Sequence, residues 1–244
     1  MKIIISLLLL ITCLAGCKDI AKAAKENQKK DASINEPVKN EWNYLFDGTS
    51  TEGWRGYNEK ELPTSWIIEE GTFKSLGEGG DIGGDIIYGA EAFSEFELSL
   101  EWKISEGGNS GIFYHVLEDE QYKAAYYTGP EYQLIDQVGF PSKLESWQSI
   151  GGDYGMYDPD FEGLLKEIGE WNTSRIVFTK EKAAYWLNGK QTLEFVPWSE
   201  DWNNRKNTGK WKNYPDYGMA ESGFIGLQDH GSFIWFRNIK VRKL

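Results

Sequence analysis

Between Phe96 and Ile104 apolar and polar residues alternate without interruption. Phe96, Leu98, Leu100, Trp102 and Ile104 interleave with Glu97, Ser99, Glu101 and Lys103. Successive side chains of a strand point to opposite faces, so this stretch buries one face and wets the other. On a helix of 3.6-residue period the same apolar residues would be scattered around the whole circumference. The chain is therefore held to a sheet with one solvated face, which favours antiparallel pairing. The flanking sequence agrees. Ser65–Glu69 and Thr72–Ser75 read as strands across Glu70-Gly71, and Ala184–Leu187 and Thr192–Phe195 across Asn188-Gly189. Asn-Gly is a strong hairpin signal. Asp85–Tyr88, Ile112–Leu117, Tyr132–Asp136, Arg175–Thr179, Gly223–Gln228 and Phe233–Arg242 are further strands, and Gly107–Gly111 is a tight turn. Amphipathic helix is almost absent, beyond a helical turn expected within Phe161–Ile168. About ten short strands with turn punctuation predict an all-β sandwich of two antiparallel sheets.

The two ends differ in character. Lys2 precedes an apolar run, Ile3–Ile11, too short to span a bilayer as a helix. Leu14-Ala15-Gly16-Cys17 then resembles the lipobox of bacterial lipoproteins. Residues 1–16 are read as a lipoprotein signal peptide and Cys17 as the lipidated residue. Residues 17–40, rich in Lys, Ala, Glu, Asn and Asp, follow as a flexible tether. The folded domain is expected over 41–244. Cys13 leaves with the signal, so no disulfide forms. The expected location is the bacterial cell envelope, with the outer membrane reached only through the lipid. A net charge of -12 argues against nucleic acid, which requires a basic footprint. Eleven Trp and thirteen Tyr exceed what a core of this size needs and point to stacking surfaces for sugar rings.

The polar row Glu131-Tyr132-Gln133-Leu134-Ile135-Asp136 is the first candidate site. Glu131 and Gln133 share a strand face, and Asp136 joins them only across a β-bulge. A polar row inside an apolar strand is costly unless it meets solvent or a ligand. Gln228 and His230 share a face by the same period, and His115 lies on the strand returning from Asn109-Ser110-Gly111. Glu131, His230 and Asp136 are the catalytic candidates. Asn109, His115, Gln133 and Gln228 are the candidates for binding substrate, with Trp198 and Trp202 from the Trp-rich loop 197–221 as a lid or subsite wall. Two His with a carboxylate would suffice by ligand type for a divalent metal, although no tight spacing demands one.

Leu45-Phe46-Asp47-Gly48, Gly53-Trp54, Asn109-Ser110-Gly111-Ile112, the row from Glu131 to Asp136, Gly169-Glu170-Trp171-Asn172, Leu187-Asn188-Gly189, Gly226-Leu227-Gln228-Asp229-His230-Gly231 and Phe236-Arg237-Asn238-Ile239 together resemble the 3-keto-disaccharide hydrolase domain family. Their order and spacing carry the resemblance over roughly residues 43–243. It implies a concanavalin-like (glucanase-type) jelly roll and hydrolysis of glycosides whose glucose unit carries a ketone at C3. His115 departs from the pattern, since many members have Arg there. A ketone acidifies the proton on C2, so a base can form an enediolate, the C1 substituent can leave, and water can add back. Glu131 and His230 suit the proton transfers, and Gln133, Asn109 and Gln228 suit hydrogen bonding to hydroxyls or the oxyanion. A second similarity joins Glu131-x-Gln133-x-x-Asp136 to the bulged Glu-x-Asp-x-x-Glu strand of lichenase-type β-glucanases, whose two carboxyls act by double displacement. A non-catalytic carbohydrate-binding lipoprotein and an ordinary β-glucanase stand as the alternatives.

Overall fold

The computed structural model describes residues 41–80 and 84–244. The signal peptide, Cys17 and the tether lie outside the described residues. The described residues form thirteen strands: β1 (Asn43–Phe46), β2 (Trp54–Gly56), β3 (Trp66–Glu69), β4 (Thr72–Leu76), β5 (Ile86–Tyr88), β6 (Phe96–Ile104), β7 (Asn109–Val116), β8 (Glu131–Ile135), β9 (Asn172–Phe178), β10 (Ala183–Leu187), β11 (Lys190–Phe195), β12 (Phe224–Leu227) and β13 (Phe233–Lys243). Among the described residues they are joined by one α-helix, α1 (Glu200–Thr208). Every pairing is antiparallel. The larger sheet runs β11-β10-β9-β6-β13-β4-β3, with β1 also on β13, and the smaller runs β2-β5-β12-β7-β8. This is the expected all-β jelly-roll sandwich of two antiparallel sheets.

The alternation in β6 does what its period requires. Phe96, Leu98, Leu100, Trp102 and Ile104 turn inward and are nearly inaccessible. They meet Ile112, Tyr114, Tyr132 and Leu134 of the smaller sheet in one continuous core. The outward residues of β6 are tied to neighbouring strands. Glu97 pairs with Arg175 and Arg242, and Glu101 with Arg237. Arg237 and Lys103 also stack over Trp171, which covers the outer face.

Two local expectations are corrected. The turn before β7 ends at Gly108, and Asn109 is already the first residue of the strand, paired with Ile135. No helix forms within 161–168; α1 forms in the Trp-rich segment instead. Ser199 caps it, its hydroxyl accepting from the Trp202 N–H at 3.2 Å, and Glu200 and Asp201 occupy the positive first turn. Of the nine residues of α1 only Trp202 and Lys206 are buried, so the segment shows no apolar stripe in sequence.

Candidate active site

The face of the smaller sheet that does not meet its partner holds the candidate site. β7 and β8 pair in an unbroken register, with Gly111 opposite Gln133 and Phe113 opposite Glu131. This puts Glu131 and Gln133 side by side on that face, as the two-residue period requires. Gly111 makes room for the carboxyl, since a Cβ there would fall 2.5 Å from Glu131 Oε1. Gln228 follows β12, its backbone N–H bonded to the Gly111 carbonyl at 3.0 Å. His230 sits in the turn between β12 and β13. Asp229 builds that turn, accepting the N–H groups of Gly231 (3.1 Å) and Gly79 (3.0 Å), while its own N–H donates to Asp85 at 3.1 Å. A short polar side chain that bonds nearby backbone is the usual way of holding such a turn.

Glu131, Gln133, Asn109, Gln228 and His230 thus line one cleft of about 160 Å³, walled by Tyr126, Tyr154, Trp211, Tyr214 and Lys210. Glu131 is 4 % exposed and Gln133 2 %. Burial, reinforced by Asp85 and Asp153, pushes the Glu131 carboxyl up to about 8, while Lys210 pulls the other way. Burial likewise pushes Asp85 up to about 8. Asp153 is held well above the ordinary carboxylate range by burial; the Tyr217 hydroxyl, 3.5 Å from its Oδ1, acts weakly against this. All three are raised because charging a carboxyl in a dry site is expensive. Three side-chain carbonyl oxygens of the same cleft, Asn109 Oδ1, Gln133 Oε1 and Gln228 Oε1, are buried without a partner. Buried polar atoms are normally satisfied, so three orphans in one cleft mark a place for a ligand's donors.

The other sequence candidates go elsewhere. Because β8 is regular, the bulge that would have turned Asp136 toward Glu131 is absent. Asp136 instead receives the N–H groups of Gly107 (2.9 Å), Gly139 (2.8 Å) and Val138 (3.2 Å), tying two loops together. It borders a separate, mostly apolar cleft of about 300 Å³ with Trp102, Ile135 and Leu165. That cleft is larger, but it lacks the orphaned amides and the buried Glu131 carboxyl. His115 is also displaced. β12 and β7 shift register between Phe224–Val116 and Gly226–Phe113, and His115 takes φ 53° there. The resulting bulge turns its ring between the sheets, 4.5 Å from Phe178 and 5.8 Å from Phe96. There it reaches the Ser94 carbonyl at 2.9 Å, and burial lowers it to about 4. Trp198 donates to the Gly218 carbonyl at 2.8 Å and packs on Phe178, and Trp202 is buried in the core. The aromatic wall of the cleft is built by Trp211 and Tyr214 from the same long segment, with Tyr126 and Tyr154.

Sequence reasoning missed Asp85, Asp153, Lys210, Tyr126 and Tyr154. Asp85 alone left a trace, as a carboxyl at the mouth of the apolar run Ile86-Ile87. Among the described residues no group of three or more His, Cys, Asp or Glu side chains is placed to hold a metal ion. Within the cleft, Glu131 and His230 are the residues of those types.

A two-sheet jelly roll with a buried carboxyl in a polar, aromatic-walled cleft is a framework that carbohydrate hydrolases can use. The chain belongs to the 3-keto-alpha-glucoside-1,2-lyase-like domain family, whose model matches residues 41–242. A 3-keto-disaccharide hydrolase of Bacteroides thetaiotaomicron is 35% identical over 225 residues, covering 82% of this chain and 77% of that protein. The crystal structure of a candidate glycosyl hydrolase from Parabacteroides distasonis ATCC 8503 is 37% identical and superposes with a TM-score of 0.78, over 83% of this chain and 94% of that one. A Bacillus subtilis protein with a galectin-like fold, 15% identical at a TM-score of 0.50 over 86% of this chain and 97% of its own, shares the fold alone.

Proposed function

We propose that the protein cleaves the glycosidic bond of 3-keto-glucosides, disaccharides among them, by C2 proton abstraction, elimination and hydration. The observation that carries this is the buried Glu131 carboxyl, raised to about 8, facing a cleft that also holds His230 and three unpartnered amide oxygens. In this scheme the Glu131 carboxylate takes the C2 proton and the electron pair moves into an enediolate. The enediolate then expels the C1 oxygen, with His230 supplying the proton that the leaving group needs. Water adds across C1 and C2, Glu131 returning its proton to C2. Elimination followed by hydration sums to hydrolysis, which accommodates both the lyase in the family's description and the hydrolase among its relatives.

A base whose pKa lies close to working pH combines an adequate ionised fraction with adequate basicity, which supports Glu131 in that role. Double displacement by two carboxyls loses support, because Asp136 serves backbone N–H groups outside the cleft. The lipobox supports a lipid anchor at Cys17 and a place in the bacterial cell envelope, with the domain tethered to a membrane through residues 17–40. The direct test is incubation with 3-keto and unoxidised disaccharides. Release of monosaccharide from the keto substrate alone is expected, with Glu131→Gln and His230→Ala each slowing it by orders of magnitude. Turnover of the unoxidised sugar at an equal rate would overturn the scheme.

A further inference from the structure

Enolisation builds negative charge on the C3 oxygen, and the cleft must answer it with a donor or a cation. Each of the three cleft amides has an acceptor oxygen without a partner. Gln133 gives its Nε2 to the Gln148 carbonyl at 3.3 Å, and its Oε1 is buried without a partner. Asn109 and Gln228 also present bare oxygens. Carbonyl oxygens accept from sugar hydroxyls but repel an oxyanion. The Trp211 indole N–H is already spent on the Tyr154 carbonyl at 2.8 Å.

Lys210 is different. It lines the cleft beside Glu131 and makes no ion pair among the described residues. Its ammonium lies over three rings instead, 5.5 Å from the centre of Trp147, 4.9 Å from Tyr154 and 5.4 Å from Trp211. Gly155, at φ 73°, passes close against its stem, and a Cβ there would lie 3.0 Å from Lys210 Cδ. Aromatic faces hold a cation in place without neutralising it, as a carboxylate would.

We propose that Lys210 is the electrophile of the reaction, its ammonium donating to the C3 oxygen as charge develops there, while Asn109, Gln133 and Gln228 accept from ring hydroxyls. This rests on the keto-sugar chemistry proposed above. The proton lost from C2 goes to Glu131, the C2–H electron pair becomes the C2–C3 double bond, and the carbonyl π pair moves to O3 beside Lys210. When the C1–O bond breaks, the O3 charge returns to re-form the ketone and the released oxygen is protonated. Lys210 gives only a hydrogen bond and no proton leaves it, so no further reactant is needed.

The test is Lys210→Met, with Lys210→Arg beside it, on a 3-keto-glucoside in D2O. Deuterium entry at C2 is followed by NMR together with sugar release. Loss of one oxyanion donor typically costs about 100- to 1000-fold in turnover. Lys210→Met is expected to slow both C2 exchange and release by that order, with KM changed far less and Arg restoring part of the rate. The rising limb of the pH–rate profile should also move to higher pH, because the pull of Lys210 on Glu131 is gone. Lys210 is surface-exposed, so the fold should persist, as circular dichroism and a thermal melt would verify. Wild-type exchange and an unmoved pH limb in Lys210→Met would overturn the assignment, as would a change in KM alone, which marks a clamp on the aromatic wall. If the wild-type protein is inert to 3-keto sugars, the proposed chemistry fails and takes the Lys210 role with it. Normal wild-type turnover with an unimpaired Lys210→Met removes only the latter.

Discussion

Replacing Glu131 by Gln should make this protein more stable while stopping its chemistry. The carboxyl has an ordinary value of 4.5 and is raised to about 8 in the folded protein, chiefly by burial. Between those values the unfolded chain ionises the group and the folded chain does not. The folded state then binds more protons, so stability falls as pH rises. At pH 7 the interval above the ordinary value is roughly 2.5 units, which at about 1.4 kcal/mol per unit is a cost of about 3 kcal/mol. Gln keeps the shape and avoids the cost, and its NH2 group meets a cleft whose bare amide oxygens can accept from it. For a domain of roughly 200 residues that corresponds to a Tm about 6–12 °C higher. The assay is a pair of melting curves at half-unit steps from pH 4 to 8.5. The difference should be near zero at pH 4.5 and widen steadily to pH 8. A difference that is flat across this range, or that favours the wild type at pH 8, would refute the placement of Glu131 as a buried neutral acid. Such a gain in stability with loss of function is the expected signature of an active-site group.

Other perturbations separate the cleft from its surroundings. Asp136→Asn removes charge from an acceptor of three backbone N–H groups, and should cost about 1–3 kcal/mol in denaturant unfolding while leaving turnover per folded molecule near wild type. Gln228→Leu removes one orphaned acceptor, and should lower kcat/KM for the keto sugar by roughly 10- to 100-fold with little change in Tm, measured by initial rates. His115 is lowered from 6.5 to about 4, so the folded state binds fewer protons than the unfolded state in that interval. Its contribution is intact above pH 6.5 and is lost as pH falls toward 4. His115→Asn, a residue that tolerates positive φ, should remove that part of the acid sensitivity in pH-dependent melts.

Much of the sandwich was legible in the residues. The alternation in β6 and the Asn188-Gly189 turn between β10 and β11 report local geometry, and local geometry is set by neighbours in sequence. The same period placed Glu131 and Gln133 on one face, and that holds in the β7–β8 register. The family motifs carried the substrate class further than any single residue type. What the chain did not reveal depended on register across strands. Asp136 needed a bulge in β8 to join the site; the bulge lies instead in β7, where it turns His115 into the core. A bulge moves a side chain from one face to the other at the cost of one residue, and short apolar strands carry no signal for where it falls. The long segment after β11 posed the same difficulty. Its tryptophans are alike in sequence, but α1 and the turn that follows it bury Trp202 and bring Trp211 and Lys210 to the cleft. Sequence alone thus determined the two-layer β architecture, the shared face of Glu131 and Gln133, and the family. The tertiary structure decided which acids are dry, which amide oxygens stand bare, and which cation faces Glu131, because desolvation and through-space fields depend on residues that are distant in the chain.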